Sequence, residues 1–394
     1  MGQPLSINAA SNAARKVLPR MPRIAVFQDY LAQSGGAERV TEAILETLPD
    51  ADLHTTMAAP ERLSPNLRQH QITTTWMQSL PAKAKLYRHY FLLYPFAIES
   101  AHLEEYDLIV SSCCGYAKGV RRGKHSIHVC YCHNPMRWVW RFPQYVQQEN
   151  LSWPLKTGLR LMVEGLKQWE MRAAQRPDYF IANSHIVAKR LKAAFGIDAT
   201  VIEPPIVTKR FKISAETEDY YLILSRLSAY KRIDLAVEAC TRTGRRLVVI
   251  GDGPDRERLM AMAGPTVKFV GRQPDAAVSR YASRCRALIF PGEEDFGMAP
   301  LEINAAGRPV VAYAAGGATE TVIEGRNGVL FDAQTTESLI EGLERLEAQS
   351  WDSASIRRYA KRYDIEAFQD RLLDYLYQVS PAVRSLQLLQ RRAG

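Results

Sequence analysis

Two glutamates close together in one stretch carry the strongest chemical signal in this chain. They are Glu294 and Glu302, within Phe290-Pro-Gly-Glu-Glu-Asp-Phe-Gly-Met-Ala-Pro-Leu-Glu-Ile-Asn-Ala-Ala-Gly-Arg-Pro309. Pro300 suits the first turn of a helix, and Gly307 followed by Pro309 marks its end. That spacing predicts Glu294 in the loop before the helix and Glu302 in its first turn. A helix N-terminus presents free N–H groups and a positive dipole end, where a diphosphate fits. Carboxylates beside it can accept hydrogen bonds from neutral hydroxyls. On spacing alone the alternative stays open: both acids only cap the helix.

A second cluster, Ser225-Arg226-Leu-Ser-Ala-Tyr-Lys231-Arg232, follows the apolar run Tyr220–Leu224 at its carboxyl end. Arg226 as a planar fork and Lys231 as a point charge could meet phosphate oxygens. Two fixed cations can neutralise a leaving nucleoside diphosphate without a metal. By itself such a turn is as readily a solvated basic loop. Gly35 and Gly36, after the first apolar run, would let backbone approach a phosphate, or merely form a turn. His133, in Tyr131-Cys-His-Asn-Pro135, follows a strand-like run and faces the same region, or serves as a structural hydrogen bonder.

These residues need a scaffold, and the hydrophobic pattern supplies an α/β one. Apolar runs at Arg23–Gln28, Tyr106–Val110, Ser126–Tyr131, Tyr179–Ala182 and Thr200–Ile202 read as buried parallel strands. Glu203-Pro204-Pro205-Ile206 interrupts them as an extended linker. Runs at Tyr220–Leu224, Arg246–Ile250, Val267–Val270, Ala287–Phe290 and Pro309–Tyr313 then alternate with helical segments, as βαβ units do. Two Rossmann-like domains with parallel sheets facing across a cleft follow, and ligands bind beyond the carboxyl ends of such strands. The expected boundaries are a disordered extension at 1–20, an N-terminal domain at 21–204 and a C-terminal domain at 205–364. A helix at 365–380 is expected to pack back on the first domain, before a basic tail at 381–394.

Composition narrows the classes. A length of 394 residues favours two domains, and 46% hydrophobic with 24% charged residues describes a globular protein. No apolar run is long enough to span a bilayer, and residues 1–20 lack the apolar segment of a secretory signal. Cys113, Cys114, Cys130, Cys132, Cys240 and Cys285 read as mostly buried thiols in a reducing compartment. A net charge of +9 suits nucleic acid, an anionic membrane or a phosphorylated ligand.

Together the quoted residues resemble the retaining family 4 glycosyltransferases of the GT-B fold. The carriers are the Glu294–Glu302 pair with Phe296-Gly297 inside it, Arg226 with Lys231, and Ser34-Gly-Gly-Ala-Glu-Arg39. Gly251-Asp-Gly-Pro254 and Gly316-Gly317 match too, so the resemblance runs from about residue 22 to 375. Tyr131-Cys-His-Asn-Pro-Met-Arg-Trp138, Gly35-Gly-Ala-Glu-Arg-Val40 and Pro291-Gly-Glu-Glu-Asp-Phe-Gly297 are similar to mannosyltransferases of bacterial O-antigen and exopolysaccharide assembly. The resemblance implies a nucleotide-sugar donor, GDP-mannose, with a lipid-linked saccharide acceptor. It implies that Arg226 and Lys231 hold the diphosphate and that Gly35 and Gly36 close over it. Glu302 would take the ribose hydroxyls. Glu294 would take sugar hydroxyls, helped by the backbone at Phe296, Gly297, Met298 and Ala299. His133 would lie near the transferred sugar, and Val270, Gly271 and Arg272 near the base. No metal or other cofactor is implied, and the leaving phosphate would help deprotonate the acceptor. Met298 stands where the family often has an aliphatic residue.

Three other classes fit less well. A metal-dependent transferase needs Asp-x-Asp at the end of a strand, whereas Asp50-Ala-Asp52 reads as a solvated turn. A nicotinamide dehydrogenase needs a third glycine that Gly251-Asp-Gly-Pro-Asp-Arg256 lacks. A non-catalytic nucleic-acid binder has only the charge in its favour, and no nucleic-acid partner is expected. A UDP-sugar-dependent transferase of the same fold remains the alternative donor reading. Finally, residues 76–99 carry Trp76, Lys83, Lys85 and Arg88 among aromatics, with no acid before Glu99. This predicts an interfacial helix holding the protein on the inner face of the cytoplasmic membrane. The alternative is a solvated helix packing on the core.

Overall fold

The computed structural model describes residues 21–33, 35–140 and 153–384. The expected extension at 1–20, Ser34, residues 141–152 and residues 385–394 of the expected tail lie outside the described residues. The first sheet contains β1 (Ile24–Gln28), β2 (Asp52–Thr55), β3 (Ile72–Thr74), β4 (Leu108–Cys113), β5 (Ile127–Cys132), β6 (Tyr179–Ala182) and β7 (Thr200–Val201). Its order is β3-β2-β1-β4-β5-β6-β7, and every pairing is parallel. The second contains β8 (Tyr221–Leu224), β9 (Leu247–Ile250), β10 (Val267–Gly271), β11 (Leu288–Phe290), β12 (Val310–Tyr313) and β13 (Gly328–Phe331). Its order is β10-β9-β8-β11-β12-β13, again parallel throughout.

In each sheet the chain order reverses at one place, between β1 and β4 and between β8 and β11. Crossovers leave such a switch point on opposite faces, which opens a crevice at the carboxyl ends. The loops after β1, β8 and β11 therefore have room for a ligand, and they are the loops that carry Gly35-Gly36, Lys231 and Glu294.

Five helices matter to the site: α1 (Gly36–Thr47), α2 (Trp153–Ala173), α3 (His185–Phe195), α4 (Met298–Ala305) and α5 (Ile365–Val379). Ser184 caps α3 through its side chain, and Gly196 ends it with φ +73°. Apolar side chains cover both faces of each sheet. Phe368, Leu372 and Leu376 of α5 join Ile44, Val110 and Ile181 of the first domain in one core. The chain thus crosses between domains twice, and the crossings touch: the Ile206 N–H donates to the Tyr363 carbonyl at 2.8 Å. Residues 381–384 are helical, and Val383 is buried against the same core.

The six thiols are free, and all but Cys114 are fully buried. Asp50 lies in an exposed turn, but Asp52 opens β2 and accepts the Tyr106 hydroxyl at 2.8 Å. That is the amino end of a strand, away from the crevice.

Candidate functional site

Lys231 follows β8 and Glu294 follows β11, and the switch point between these neighbouring strands makes them an ion pair. Both side chains are largely buried. Burial first, then the Arg137 guanidinium, pushes the Lys231 ammonium down to about 7, with Asp295 opposing. The loop bearing Glu294 is backed by the turn after β12. The Gly317 N–H donates to the Glu294 carbonyl at 2.8 Å, and a Cβ on Gly316, at φ +63°, would stand 2.3 Å from that carbonyl oxygen. A Cβ on Gly317 would likewise stand 2.3 Å from the Phe296 backbone, so both positions need glycine.

Glu302 does not sit in the first turn of its helix. Gly297 at φ +84° starts α4 at Met298, which makes Pro300 its third residue and moves Glu302 to the second turn. The helix ends as foreseen: Gly307 at φ +78° and Arg308 donate to the Asn304 and Ile303 carbonyls at 2.9 and 3.2 Å. From this position Glu302, only 6% exposed, pairs with Arg39 of α1 and lies 3.9 Å from the Arg210 guanidinium. Neither arginine was given a role from sequence. Gly36 meets the same helix, since a Cβ there would come within 3.1 Å of Met298 Sδ. A cavity of about 530 Å³ opens beside this contact, bordered by Glu38, Arg39, Glu42, Arg210, Asp275 and Met298. It lies on the Glu302 side of the site rather than at the Lys231–Glu294 pair.

The acids flanking Glu294 reach the other way, into the N-terminal domain. Asp295 pairs with Arg137 at 2.6 Å and with Arg190 of α3, and Arg190 also meets Glu293 at 2.8 Å. The Ser184 hydroxyl donates to the Asp295 carbonyl at 2.7 Å. At the amino end of α3, the His185 and Ile186 N–H groups both donate to Glu320 at 2.8 Å. The three consecutive acids thus have divided duties: the middle one faces its own domain, and the outer two hold the domains together.

His133 lies at the end of β5, its Nε2 sharing a hydrogen with Ser112 Oγ at 3.0 Å. Burial pushes its imidazole down to about 4, so at neutral pH it is an uncharged hydrogen-bonding group. The loop after it is anchored by Glu170 of α2. That carboxylate accepts the Met136 N–H at 2.9 Å, Trp140 Nε1 at 2.8 Å and the buried Lys118 ammonium at 2.7 Å.

Other expected residues stand further out. Arg226 and Arg272 are exposed, while Val270 and Gly271 end the edge strand β10 and Phe296 is buried against Tyr363. Ala299 is half-buried in the first turn of α4. The expected interfacial helix over 76–99 does not form as one element. It breaks into a short turn at Trp76–Ser79, another at Lys83–Leu86 and a helix at Tyr94–Glu99. Pro81 and the left-handed Ala82 at φ +46° interrupt it. Tyr87 and Tyr94 turn into the core, as in the packing alternative, whereas Trp76 is 45% and Phe96 70% exposed. Among the described residues no group of three or more His, Cys, Asp or Glu is arranged to hold a metal ion.

Two parallel-sheet domains meeting at their switch points, with charged loops converging between them, define the GT-B class of fold. Residues 34–210 match the family described as Glycosyltransferase Family 4, and residues 207–363 match Glycosyl transferases group 1. Both halves of the chain are thus similar to glycosyltransferase domains, together over residues 34–363. It is 33% identical over 115 residues to a GDP-mannose-dependent alpha-mannosyltransferase of Mycolicibacterium smegmatis, covering 29% of this chain and 30% of that one. It is 26% identical over 217 residues to a D-inositol 3-phosphate glycosyltransferase of Nocardioides, covering 45% and 47%. These matches span less than half the length of either relative. Solved structures share the fold across nearly the whole chain. HepE of Anabaena, in complex with UDP and glucose, superposes with TM-score 0.66 at 18% identity, covering 90% of this chain and 100% of that one. Sucrose-phosphate synthase of Thermosynechococcus elongatus gives 0.70 at 18%, covering 91% and 99%.

Proposed function

We propose that the protein is a retaining, metal-independent glycosyltransferase that moves mannose from GDP-mannose to a lipid-linked saccharide at an anionic membrane surface. The observation that carries this reading is the pairing at the cleft. Lys231 with Glu294, and Glu302 with Arg39 and Arg210, bring anion-binding cations and hydroxyl-accepting carboxylates together from both domains. In this reading Lys231, with Arg226 swinging in, neutralises the leaving diphosphate. Glu302 takes the ribose hydroxyls, Glu294 and His133 contact the transferred sugar, and Gly35 and Gly36 close over the phosphates. The bond from the anomeric carbon to phosphate oxygen breaks, and one to the acceptor oxygen forms on the same face. The acceptor proton passes to the leaving phosphate.

Thermal-shift measurements with GDP, UDP, ADP and their sugars test the donor. Saturating ligand stabilises by about 2.7 kcal/mol at 100 times Kd, and the largest shift is expected with GDP-mannose. A UDP sugar is the second reading, favoured by the UDP in complex with HepE, and a shift with UDP sugars alone would select it. A flat response to all of them defeats both. Transfer is expected to survive excess chelator. Abolition with rescue by manganese or magnesium would refute metal independence.

Membrane attachment would be peripheral. No helix among the described residues is long and apolar enough to cross a bilayer. Lys83, Lys85 and Arg88 lie beside the exposed Trp76 and Leu86, and each basic residue near an anionic surface contributes about 1 kcal/mol. Lys83→Glu with Arg88→Glu is expected to release the protein from anionic liposomes while donor hydrolysis persists. Unchanged flotation would show that this segment only packs on the core.

A further inference from the structure

The face of α1 that borders the interdomain cavity carries Glu38, Arg39, Glu42 and Glu46. Three of these have partners: Arg39 pairs with Glu302, Glu42 accepts the Ser64 hydroxyl, and Glu46 accepts Gln369 at 3.2 Å. Glu38 differs. Its side chain is 3% exposed, and neither carboxyl oxygen has a hydrogen-bond partner. It folds back toward the loop, where a Cβ on Gly35 would stand 3.0 Å from its Oε2.

A glutamate at the third position of a helix can reach back to the N-cap amide and satisfy it. Glu38 occupies that position behind the N-cap Gly35, yet the bond is not made. The Gln33 side chain and the backbone of Gly35 and of Glu38 itself lie near enough to draw its pKa down, and burial outweighs them. Asp29 after β1, Tyr30, and Cys114 after β4 stand close to it as well. Asp29 is already committed to the backbone N–H groups of Cys114, Tyr116 and Ala117. Burial first, and then Asp29, pushes Glu38 up to about 7; burial and Cys113 push Asp29 up to about 8.

A buried carboxyl without a partner costs stability and contributes nothing to packing that an apolar residue would not. Such an arrangement persists where a ligand completes it. We propose that Glu38 is a sugar-hydroxyl ligand, its carboxylate accepting hydrogen bonds from a saccharide lodged between Gly36 and the interdomain cavity. This rests on the glycosyltransferase reading. With Asp29 behind it, a carboxylate here suits the neutral hydroxyls of a polyol, while Arg39 and Arg210 border the same cavity. The transferred sugar and the acceptor sugar offer the same chemistry, and experiment separates them.

The probes are GDP, GDP-mannose and octyl mannoside as an acceptor analogue, applied to the parent, Glu38→Gln and Glu38→Ala. A lost hydrogen bond to a charged group weakens binding about tenfold or more. If the transferred sugar is the ligand, GDP binds both variants as it binds the parent, while the added affinity of GDP-mannose disappears. If the acceptor is the ligand, donor binding and hydrolysis stay, while KM for octyl mannoside rises about tenfold. Unchanged binding and unchanged KM in folded Glu38→Ala overturn the proposal. A parent that binds neither nucleotide nor nucleotide sugar overturns the glycosyltransferase reading itself, and this proposal with it.

Stability gives a check independent of ligand. A carboxyl raised in the folded state contributes stability present below its unfolded pKa and lost as pH rises through about 7. The unfolding midpoint should therefore fall between about pH 4.5 and pH 7, and fall less in Glu38→Gln, with Asp29 supplying the remainder. An identical fall in both proteins would mean that the carboxylate is satisfied in the free protein, which also overturns the proposal.

Discussion

Lys231→Ala is expected to lower turnover by about 10²–10³-fold, the cost of removing one preorganised group that meets charge developing in a transition state. The ammonium is buried, fixed by the loop after β8, and already placed against Glu294. Lys231→Arg should not restore the rate, because a planar fork cannot occupy the place of a compact point charge. Removing the lysine also leaves Glu294 without its partner, so the single variant loses stability as well. Lys231→Met combined with Glu294→Gln separates the two effects: stability should return and turnover should not. Glu302→Ala is expected to act differently. It takes the partner of Arg39, leaves Arg210 with Asp275, and weakens donor binding with less effect on turnover, whereas Glu294→Ala mainly lowers turnover. Full activity of Lys231→Ala in a donor-hydrolysis assay, or equal activity of the two glutamate variants, would reduce these side chains to structural ion pairs.

The parts of this site that were legible from sequence share a local signature. Buried parallel strands such as Ile24–Gln28 and Tyr221–Leu224 are continuous apolar runs, so their loops could be found and Lys231 and Glu294 placed at their ends. β2 and β3 carry polar residues along short runs, and β13 is a short strand at the sheet edge, so none of the three stands out. The helix after Glu294 was recognisable, but its start was set by a positive φ at Gly297 rather than by Pro300, and Glu302 moved by a turn. The segment 76–99 has one composition throughout and reads as one helix; a proline and a left-handed alanine break it. The interdomain clamp had no signal at all. Arg190 and Arg137 meet Asp295 from 105 and 158 residues away, and only the finished topology brings them together. Arg39 stood in a recognisable motif, but its partner Glu302 is 263 residues distant.

The largest stability effect is expected at Lys118 and Glu170, both with fully buried side chains and 2.7 Å apart. Breaking a buried pair by removing one partner costs about 3–5 kcal/mol, because the other charge is left uncompensated in low dielectric. That is a large share of the roughly 5–15 kcal/mol by which a domain of ordinary size is stable. The two halves are not equivalent. Glu170→Ala leaves Lys118 with the Gly115 carbonyl and the Phe195 ring but no counter-charge, and it also frees the Met136 N–H and Trp140 Nε1. Lys118→Met leaves Glu170 with both of those donors, so the smaller loss is expected there. In the double variant Lys118→Met with Glu170→Gln the charges are gone and the amide oxygen keeps one of the two donors, so part of the stability should return. Urea denaturation reads this as a shift in midpoint without a change in slope. The functional consequence separates from stability. Glu170 holds the loop that carries His133 and Arg137, so at temperatures where Glu170→Ala remains folded its turnover should still be below that of Lys118→Met. A cost for Glu170→Ala within about 0.5 kcal/mol, the range of ordinary surface substitutions, would show that water enters and screens the pair.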